Sequence, residues 1–164
     1  MSQASGDFED PGVPDLILDQ VNIVVSDMER SIAFYRLLGL RDDPTPSEWQ
    51  PHHRRLVGGA SGTADVELDS RSFATRWNAG YRPSTGPGSV VLGFKLSSRD
   101  AVDEVYERVV GSGYRSQQHP FDAFWGARYA IVEDPDGNPV GLMSPAEAAM
   151  RWPIEPPAED STPA

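Results

Sequence analysis

The stretch Asp19-Gln20-Val21-Asn22-Ile23-Val24-Val25-Ser26-Asp27 decides how this chain folds. Apolar side chains recur at every second position from Val21 to Val25, and this period of two predicts a β-strand with one buried face. The side chains of Gln20 and Asn22 then point to the opposite face, because successive residues of a strand alternate in direction. The strand therefore offers an apolar face to a core and a polar face away from it.

A helix is predicted to follow this strand directly. Ser26 with Glu29 three residues later forms a capping box, a pairing that satisfies the first free backbone N–H groups of a helix. An apolar face at helical spacing follows, and Gly39 supplies the left-handed residue at which many helices end. Shorter strands are predicted at 54–58 and 64–68, so this half of the chain contains a strand, a helix and further strands.

The second half of the chain repeats this order of elements. Residues 90–96 predict a strand, and a serine directly after it can cap the following helix. Strands at 128–132 and 140–143 flank Asp134-Pro135-Asp136-Gly137-Asn138, whose turn chemistry predicts a hairpin. This duplication predicts two half-domains, each a small curved sheet with one helix on its outer face, and a ligand cleft between their open faces.

Composition limits the partners that the chain can have. Its 164 residues include 14 basic and 25 acidic side chains, which gives a net charge of −11 and a pI near 4.6. This balance argues against nucleic acid and against an anionic membrane surface, which both attract clustered Lys and Arg. Cysteine is absent, so disulfides, thiolate metal sites and a cysteine nucleophile are excluded. No apolar run approaches a membrane span of roughly 20 residues, and no leader is apparent, so we expect a cytoplasmic protein.

The chain is predicted to fold as one domain between two tails. Residues 1–14 and 151–164 are rich in Pro, Ser and acidic residues and hold too little apolar surface to offset the entropy of ordering. The folded part is predicted at 15–150. Within it we predict three successive parts: a first module at about 15–70, a linker at 71–87 and a second module at about 88–145.

Two motifs of the chain resemble the opening and the closing hairpin of the vicinal oxygen chelate superfamily, which includes glyoxalases, extradiol dioxygenases and bleomycin-resistance proteins. They are Asp19–Asp27 running into Ser31-Ile32-Ala33-Phe34-Tyr35 and Leu38-Gly39-Leu40, and Trp125-Gly126-Ala127-Arg128-Tyr129-Ala130 followed by the turn at 134–138. The resemblance covers about residues 16–144 and is closest to the metal-free bleomycin-resistance branch. It implies an α+β fold of two βαβββ modules, whose paired curved mixed sheets surround a cleft with one helix on the outer face of each.

The resemblance also implies where a metal ion would sit. Metal-dependent relatives hold one divalent ion with four side chains from four strands, and these positions fall on Gln20, Glu67, Val91 and Gly141. Valine and glycine offer no donor side-chain atom, so two of the four ligands are missing and no tightly bound catalytic metal is expected. The alternative is one divalent ion held by Gln20 and Glu67 with rearranged ligands, in a metal-dependent lyase, isomerase or dioxygenase.

Three polar residues are candidates for binding a ligand on the cleft side of the strands. Gln20 and Asn22 would offer hydrogen bonds there, or would instead satisfy neighbouring backbone groups and water. Lys95 is the only lysine, and the same alternation places it on the cleft face of the second-half strand. Its amine could bind a ligand carboxylate or form a Schiff base, although we favour an ordinary ion pair.

Two tryptophans and an arginine complete the candidate binding residues. The resemblance implies that Trp125 stacks on a planar ligand, and the glycine after it leaves a flat apolar face open; packing under the hairpin is the alternative. Trp77 lies in the linker, where it would cover the cleft or a dimer contact, or would pack the linker itself. Arg128 could clamp a ligand anion or pair with Asp134 or Asp136, and we favour the pairing.

The chain has three histidines, which are the residues most suited to proton transfer near neutral pH. His52 and His53 lie in a polar stretch and are interpreted as solvated loop side chains, while His119 is placed at the end of a strand. Neighbouring residues of a strand point to opposite faces, so at most one of His52 and His53 could face the cleft.

These observations favour a metal-free binding protein. It would hold a small aromatic or drug-like molecule in the cleft, as in antibiotic sequestration, with stacking on Trp125 and hydrogen bonds from Gln20 and Asn22. The acidic surplus favours a planar, cationic ligand. The resemblance implies a homodimer, because two chains commonly complete such clefts. The alternatives are the metal-dependent enzyme and a regulatory partner protein that has no ligand.

Overall fold

The computed structural model of the chain describes residues 18–59, 63–83 and 90–154. The N-terminal tail predicted at 1–14 lies outside the described residues, and so does most of the tail predicted at 151–164. No helix in the described part of the chain is long and apolar enough to cross a membrane.

The observed elements follow the predicted duplicated order. The first module contains one helix and four strands: β1 (Gln20–Val25), α1 (Met28–Leu37), β2 (Arg41–Asp42), β3 (His53–Val57) and β4 (Asp65–Ser70). A short helix, α2 (Arg71–Trp77), follows within the predicted linker. The second module again has one helix and four strands: β5 (Leu92–Lys95), α3 (Arg99–Gly111), β6 (Ser116–Asp122), β7 (Arg128–Glu133) and β8 (Pro139–Met143).

The two sheets have the same topology. Their strand orders are β1-β4-β3-β2 and β5-β8-β7-β6, so the first and last strands of each module are neighbours in both sheets. Those neighbours run parallel, whereas β3 with β4 and β7 with β8 are antiparallel. The predicted α+β fold of two βαβββ modules with mixed sheets is confirmed, and so is the predicted hairpin around 134–138.

The start of α1 differs from the sequence prediction. The residue that caps the helix is Asp27, whose carboxylate accepts a hydrogen bond from the backbone N–H of Arg30 at 3.0 Å. The predicted capping residue, Ser26, instead donates its backbone N–H to the carboxylate of Asp136 in the second module at 3.1 Å. A contact between modules therefore replaces the capping box, which sequence spacing alone does not show. The predicted end of the helix is confirmed, because Gly39 has a φ of +97°.

One apolar core joins the two modules on the helix side of the sheets. It contains side chains from α1, α3 and the inner faces of both sheets, including Ile32, Leu68, Val102 and Leu142. A buried hydrogen bond crosses it, from the hydroxyl of Tyr35 on α1 to the carboxylate of Asp134 at 3.0 Å. Helices α1 and α3 thus cover one face of each sheet. We call the opposite face of each sheet its open face; in the first sheet, α2 contacts part of it.

Candidate functional site

The open face of the first module is polar, as the alternation along β1 predicts. Ile23 and Val25 are buried in the core, whereas Gln20 and Asn22 are exposed on the other face. Asn22 lies opposite Glu67 of β4 in the parallel pair, so their side chains share this face. We call this surface the polar wall, defined by Gln20, Asn22, Glu67, Asp69 and His53.

Asn22 connects the side chains of the polar wall. Its amide oxygen accepts a hydrogen bond from Gln20 Nε2 at 2.8 Å, and its amide nitrogen donates to Asp69 Oδ2 at 3.0 Å and Glu67 Oε2 at 3.3 Å. Neighbouring side chains therefore satisfy most of the hydrogen-bonding capacity of Asn22, whereas Gln20 makes one such bond, through Nε2. Their contact with a ligand stays a prediction.

Sequence reasoning missed two residues of this wall, Asp69 and His53. His53 begins β3 and is not a solvated loop side chain, because its Nδ1 lies 2.7 Å from Asp69 Oδ1. The Asp69 side chain is only 1% exposed, and that of His53 is 30% exposed. Alternation gave a partial signal, since only one of His52 and His53 could face the cleft.

The open face of the second module is aromatic. Tyr129 on β7 contacts the ring of Trp125 at a centroid distance of 5.3 Å and that of Phe121 at 6.2 Å. Phe124 meets Trp125 edge to face at 4.9 Å. We call Phe121, Phe124, Trp125 and Tyr129 the aromatic wall. Both alternatives weighed for Trp125 have a physical basis here, since its ring packs in a cluster and stays partly exposed.

The chain at Trp125 is held by a close backbone approach. Gly126 has a φ of +91°, and a side chain there would collide with the backbone carbonyl of Glu147. The carbonyl of Trp125 also accepts a hydrogen bond from Arg151 Nε at 3.1 Å. Only glycine fits both the conformation and the space at position 126, so the segment after β8 fixes the position of Trp125.

The residues at the metal positions of metal-dependent relatives do not fit a four-ligand site. Val91, which directly precedes β5, has no donor atom, and a Cβ at Gly141 would lie 2.6 Å from the hydroxyl of Tyr129. Gln20 and Glu67 are the two positions with a side-chain oxygen donor, and Gln20 bonds Asn22 through Nε2 rather than through that oxygen. In the described part of the chain, no three His, Asp or Glu residues are grouped as a metal site would need.

Lys95 is exposed at the end of β5, on the open face of the second sheet. It borders a cavity of about 460 Å³ at the junction of the modules, lined by residues that include Leu40, Gly58 and Phe94. Within residues 18–59, 63–83 and 90–154 it makes no ion pair, in contrast to the pairing that we favoured from sequence. Ligand binding by Lys95 stays a prediction.

Arg128 lies on the helix-covered face of the second sheet, opposite to its neighbour Tyr129. Its Nε donates to Asp103 on α3 at 2.9 Å, and its Nη1 donates to Asp122 on β6 at 3.1 Å. Arg128 is therefore paired, although with different acids from Asp134 and Asp136. The structure does not bring its guanidinium together with the aromatic wall.

Trp77 is the last residue of α2 and is 48% exposed. None of its ring contacts within the described residues involves the aromatic wall. The helix itself packs against β4 and β1 of the first module. The predicted role of Trp77 as a cover of the cleft or of a dimer contact stays a prediction.

Comparison with known proteins agrees with this fold. The family model described as Glyoxalase/Bleomycin resistance protein/Dioxygenase superfamily matches residues 17–142. The chain therefore belongs to the glyoxalase, bleomycin resistance protein and dioxygenase superfamily. No curated protein matches the chain.

Many solved structures share the fold at low sequence identity. A glyoxalase/bleomycin resistance protein/dioxygenase family enzyme from Burkholderia phytofirmans PsJN is 19% identical, with a TM-score of 0.65, and the match covers 79% of this chain and 98% of that chain. A glyoxalase/bleomycin resistance protein/dioxygenase from Nocardioides is 21% identical, with a TM-score of 0.63, and the match covers 87% of this chain and 92% of that chain. Lactoylglutathione lyase from Agrobacterium tumefaciens is 18% identical, with a TM-score of 0.58, and the match covers 80% of this chain and 96% of that chain. Identities this low establish the shared fold alone.

Proposed function

We propose that this chain is a metal-free member of its superfamily that binds a small, planar, positively charged organic molecule between its open faces. Such binding would serve sequestration of a drug-like or aromatic compound. The observation that carries the proposal is the ring of Tyr129, which lies over Gly141 and joins Trp125 and Phe121 in one cluster. Where metal-dependent relatives place a carboxylate ligand, this chain has an aromatic surface.

The chemistry of the two walls supports a planar cation as the ligand. The aromatic wall offers ring faces and edges, which bind flat apolar groups and attract cations through the ring quadrupole. The polar wall carries the carboxylates of Glu67 and Asp69, and the net charge of the chain is −11. Both the local and the long-range electrostatics therefore favour a positive ligand over an anion.

The proposal assigns separate roles to the candidate residues. Trp125 stacks on the ligand, Gln20 and Asn22 present amide groups to its polar atoms, and Lys95 lies at the edge of the site. Arg128 is left out, because its guanidinium is bonded to Asp103 and Asp122 on the other face of the sheet. A homodimer and a cytoplasmic location stay predictions.

The test uses proflavine, a planar cation, and acridone, a neutral molecule of similar shape. Isothermal titration of the full chain should show saturable binding of proflavine and weaker binding of acridone. Trp125→Ala should weaken proflavine binding by about tenfold, which is the magnitude expected for one lost stacking contact with a cation. Trp152→Ala is the matched control, since Trp152 is 45% exposed in the neighbouring segment and has no ring contact with the aromatic wall among the described residues.

Two results would overturn the proposal. One is equal loss of affinity in Trp125→Ala and Trp152→Ala, because the aromatic wall would then have no special role. The other is turnover that appears only after loading with a divalent metal and disappears in Glu67→Gln. That second result would favour the metal-dependent lyase, isomerase or dioxygenase.

A further inference from the structure

The pair formed by His53 and Asp69 has the geometry of a catalytic base held by a carboxylate. His53 Nδ1 is 2.7 Å from Asp69 Oδ1. A carboxylate accepts hydrogen bonds, so the imidazole must donate from Nδ1, and the lone pair of a neutral ring is then on Nε2. Within the described residues Nε2 makes no hydrogen bond, and the His53 side chain is 30% exposed. The basic nitrogen is therefore available to a bound molecule.

Both members of the pair are held in place by their neighbours. Asp69 is 1% exposed and accepts a second hydrogen bond from Asn22 at Oδ2, so neither carboxylate oxygen is free to rotate away. The ring of His53 packs against Phe73 of α2 at a centroid distance of 5.7 Å. A carboxylate that orients the imidazole, as Asp69 does here, is the usual arrangement in enzymes that use histidine for proton transfer.

The other two histidines lack this arrangement. His52 Nδ1 is 3.4 Å from the hydroxyl of Ser70, and His119 Nδ1 is 2.7 Å from the hydroxyl of Tyr106. Neither of them is paired with a carboxylate in the described structure. The pairing at His53 thus sets one histidine apart from the two others in the same chain.

The surface next to His53 suits a flat, apolar molecule. Phe73 contacts the ring of Trp49 at 5.6 Å as well as that of His53. Phe73 and Trp49 line a groove of about 570 Å³ together with His52, Ser72 and Arg76. His53 adjoins this groove through the ring of Phe73, which lines the groove and contacts the imidazole.

We propose that His53 is the catalytic base of a metal-free proton-transfer reaction on a planar aromatic carbon acid, with Asp69 as its positioning residue. In this step a C–H bond of the substrate breaks and an N–H bond forms at Nε2 of His53. The electron pair stays on the substrate, while Asp69 keeps its hydrogen bond to Nδ1. This activity goes beyond ligand binding and depends on neither Trp125 nor a metal ion.

The probe is 5-nitrobenzisoxazole, a flat neutral molecule whose conversion needs only a base. His53 would take the proton from carbon 3, the C–H electron pair would complete a C≡N bond, and the N–O bond would break to release coloured 2-cyano-4-nitrophenolate. No oxidant or other reactant is consumed. The full chain should convert this probe with saturation kinetics.

Variants separate catalysis from structure. His53→Ala should lower kcat/KM by about 100-fold, the lower range for loss of a general base, and added imidazole should restore part of the rate. His119→Gln is the control and should keep the wild-type rate. Asp69→Asn should lower kcat more than it changes KM, because it acts on the orientation of the base. Equal rates in His53→Ala and His119→Gln would overturn the proposal.

A spectroscopic measurement keeps the test decisive if Asp69→Asn fails to fold. Nitrogen NMR of wild-type protein reports which ring nitrogen of neutral His53 carries the proton. We expect the proton on Nδ1, and a proton on Nε2 would overturn the proposal. Loss of proflavine binding in Trp125→Ala with unchanged probe turnover would show that the two sites act separately, so the two proposals can fail independently.

Discussion

The hydroxyl of Tyr129 occupies the space that a side chain at position 141 would need. A Cβ built on Gly141 would lie 2.6 Å from that hydroxyl and 3.1 Å from the ring edge. The absence of a side chain at this position is thus what allows the aromatic wall to close over β8. The resemblance implies a metal ligand at position 141, and in this chain the ring of Tyr129 lies there instead.

Gly141→Ala should destabilise the fold and disturb the aromatic wall. The added methyl group must displace the ring of Tyr129, and overpacking of this kind costs about 1–3 kcal/mol. Thermal unfolding followed by near-ultraviolet circular dichroism should show a lower melting temperature and a weaker aromatic signal. The control is Gly93→Ala, because Gly93 is the register partner of Gly141 and a Cβ there meets nothing within 4 Å. Equal destabilisation by the two variants would contradict the role given to Tyr129.

Tyr35→Phe should lower the free energy of unfolding at neutral pH, and the further decrease of that free energy in alkali should be smaller than in the wild type. Burial, followed by the charge of Asp134, raises the pKa of the Tyr35 phenol well above its ordinary value. A raised pKa in the folded state gives stability that is complete below about pH 10, the ordinary tyrosine value, and that is lost as pH rises further. The variant should lose about 2 kcal/mol at neutral pH, since it loses a hydrogen bond to a carboxylate. Urea unfolding at a series of pH values measures both effects, and an unchanged alkaline slope would refute the assignment.

Asp122→Asn should weaken the fold at neutral pH but not in strong acid. The hydrogen bond from Arg128, with a further contribution from Arg99, lowers the pKa of the Asp122 carboxyl. A lowered pKa gives stability that is present above the ordinary aspartate value and is lost as pH falls through the folded-state value. Wild-type and variant unfolding curves should therefore converge in acid. The control is Glu104→Gln, an exposed change on α3, for which the difference in stability from the wild type should be the same at every pH.

Salt should weaken binding of proflavine more than binding of acridone. Attraction between the acidic chain and a cation is screened over about 10 Å at 0.1 M ionic strength, whereas stacking is much less sensitive to salt. Titrations at low and high sodium chloride measure the difference. If salt changes the affinity for proflavine and for acridone equally, the charge of the chain does not contribute to the preference for a cation.

The fold could be predicted from sequence because its signals are local. The alternation in β1 and the turn at 134–138 each lie within about ten residues, and they are found where predicted. The sequence predicts Ser26 as the cap of α1, one residue before the observed cap, Asp27. The backbone N–H of Ser26 is instead bonded to Asp136, which is distant in sequence. A competing contact between modules leaves no mark in the spacing of the capping box.

Much of the candidate site could not be predicted, because its partners are brought together only by pairing of strands. In β3 the core-facing positions are Arg54 and Leu56, and the buried Arg54 is accommodated by Asp42 at 2.5 Å. Because a charged residue, Arg54, takes a core-facing position, the alternation of apolar and polar residues in β3 is not visible in the sequence. That alternation would have placed His53 on the open face of the sheet. The contact of Tyr129 with Gly141 had a usable signal, because the hairpin register places them diagonally across neighbouring strands.

The most direct test of the account is the metal content of the full chain purified without a histidine tag. Mass spectrometry should find less than about a tenth of a divalent ion per chain, before and after exposure to zinc, nickel, iron or manganese, because one carboxylate and one amide hold such ions weakly. Proflavine binding should be the same in metal-free and metal-exposed protein. About one ion per chain, lost in Gln20→Ala and in Glu67→Ala, would contradict the account and assign the site to a metal-dependent enzyme.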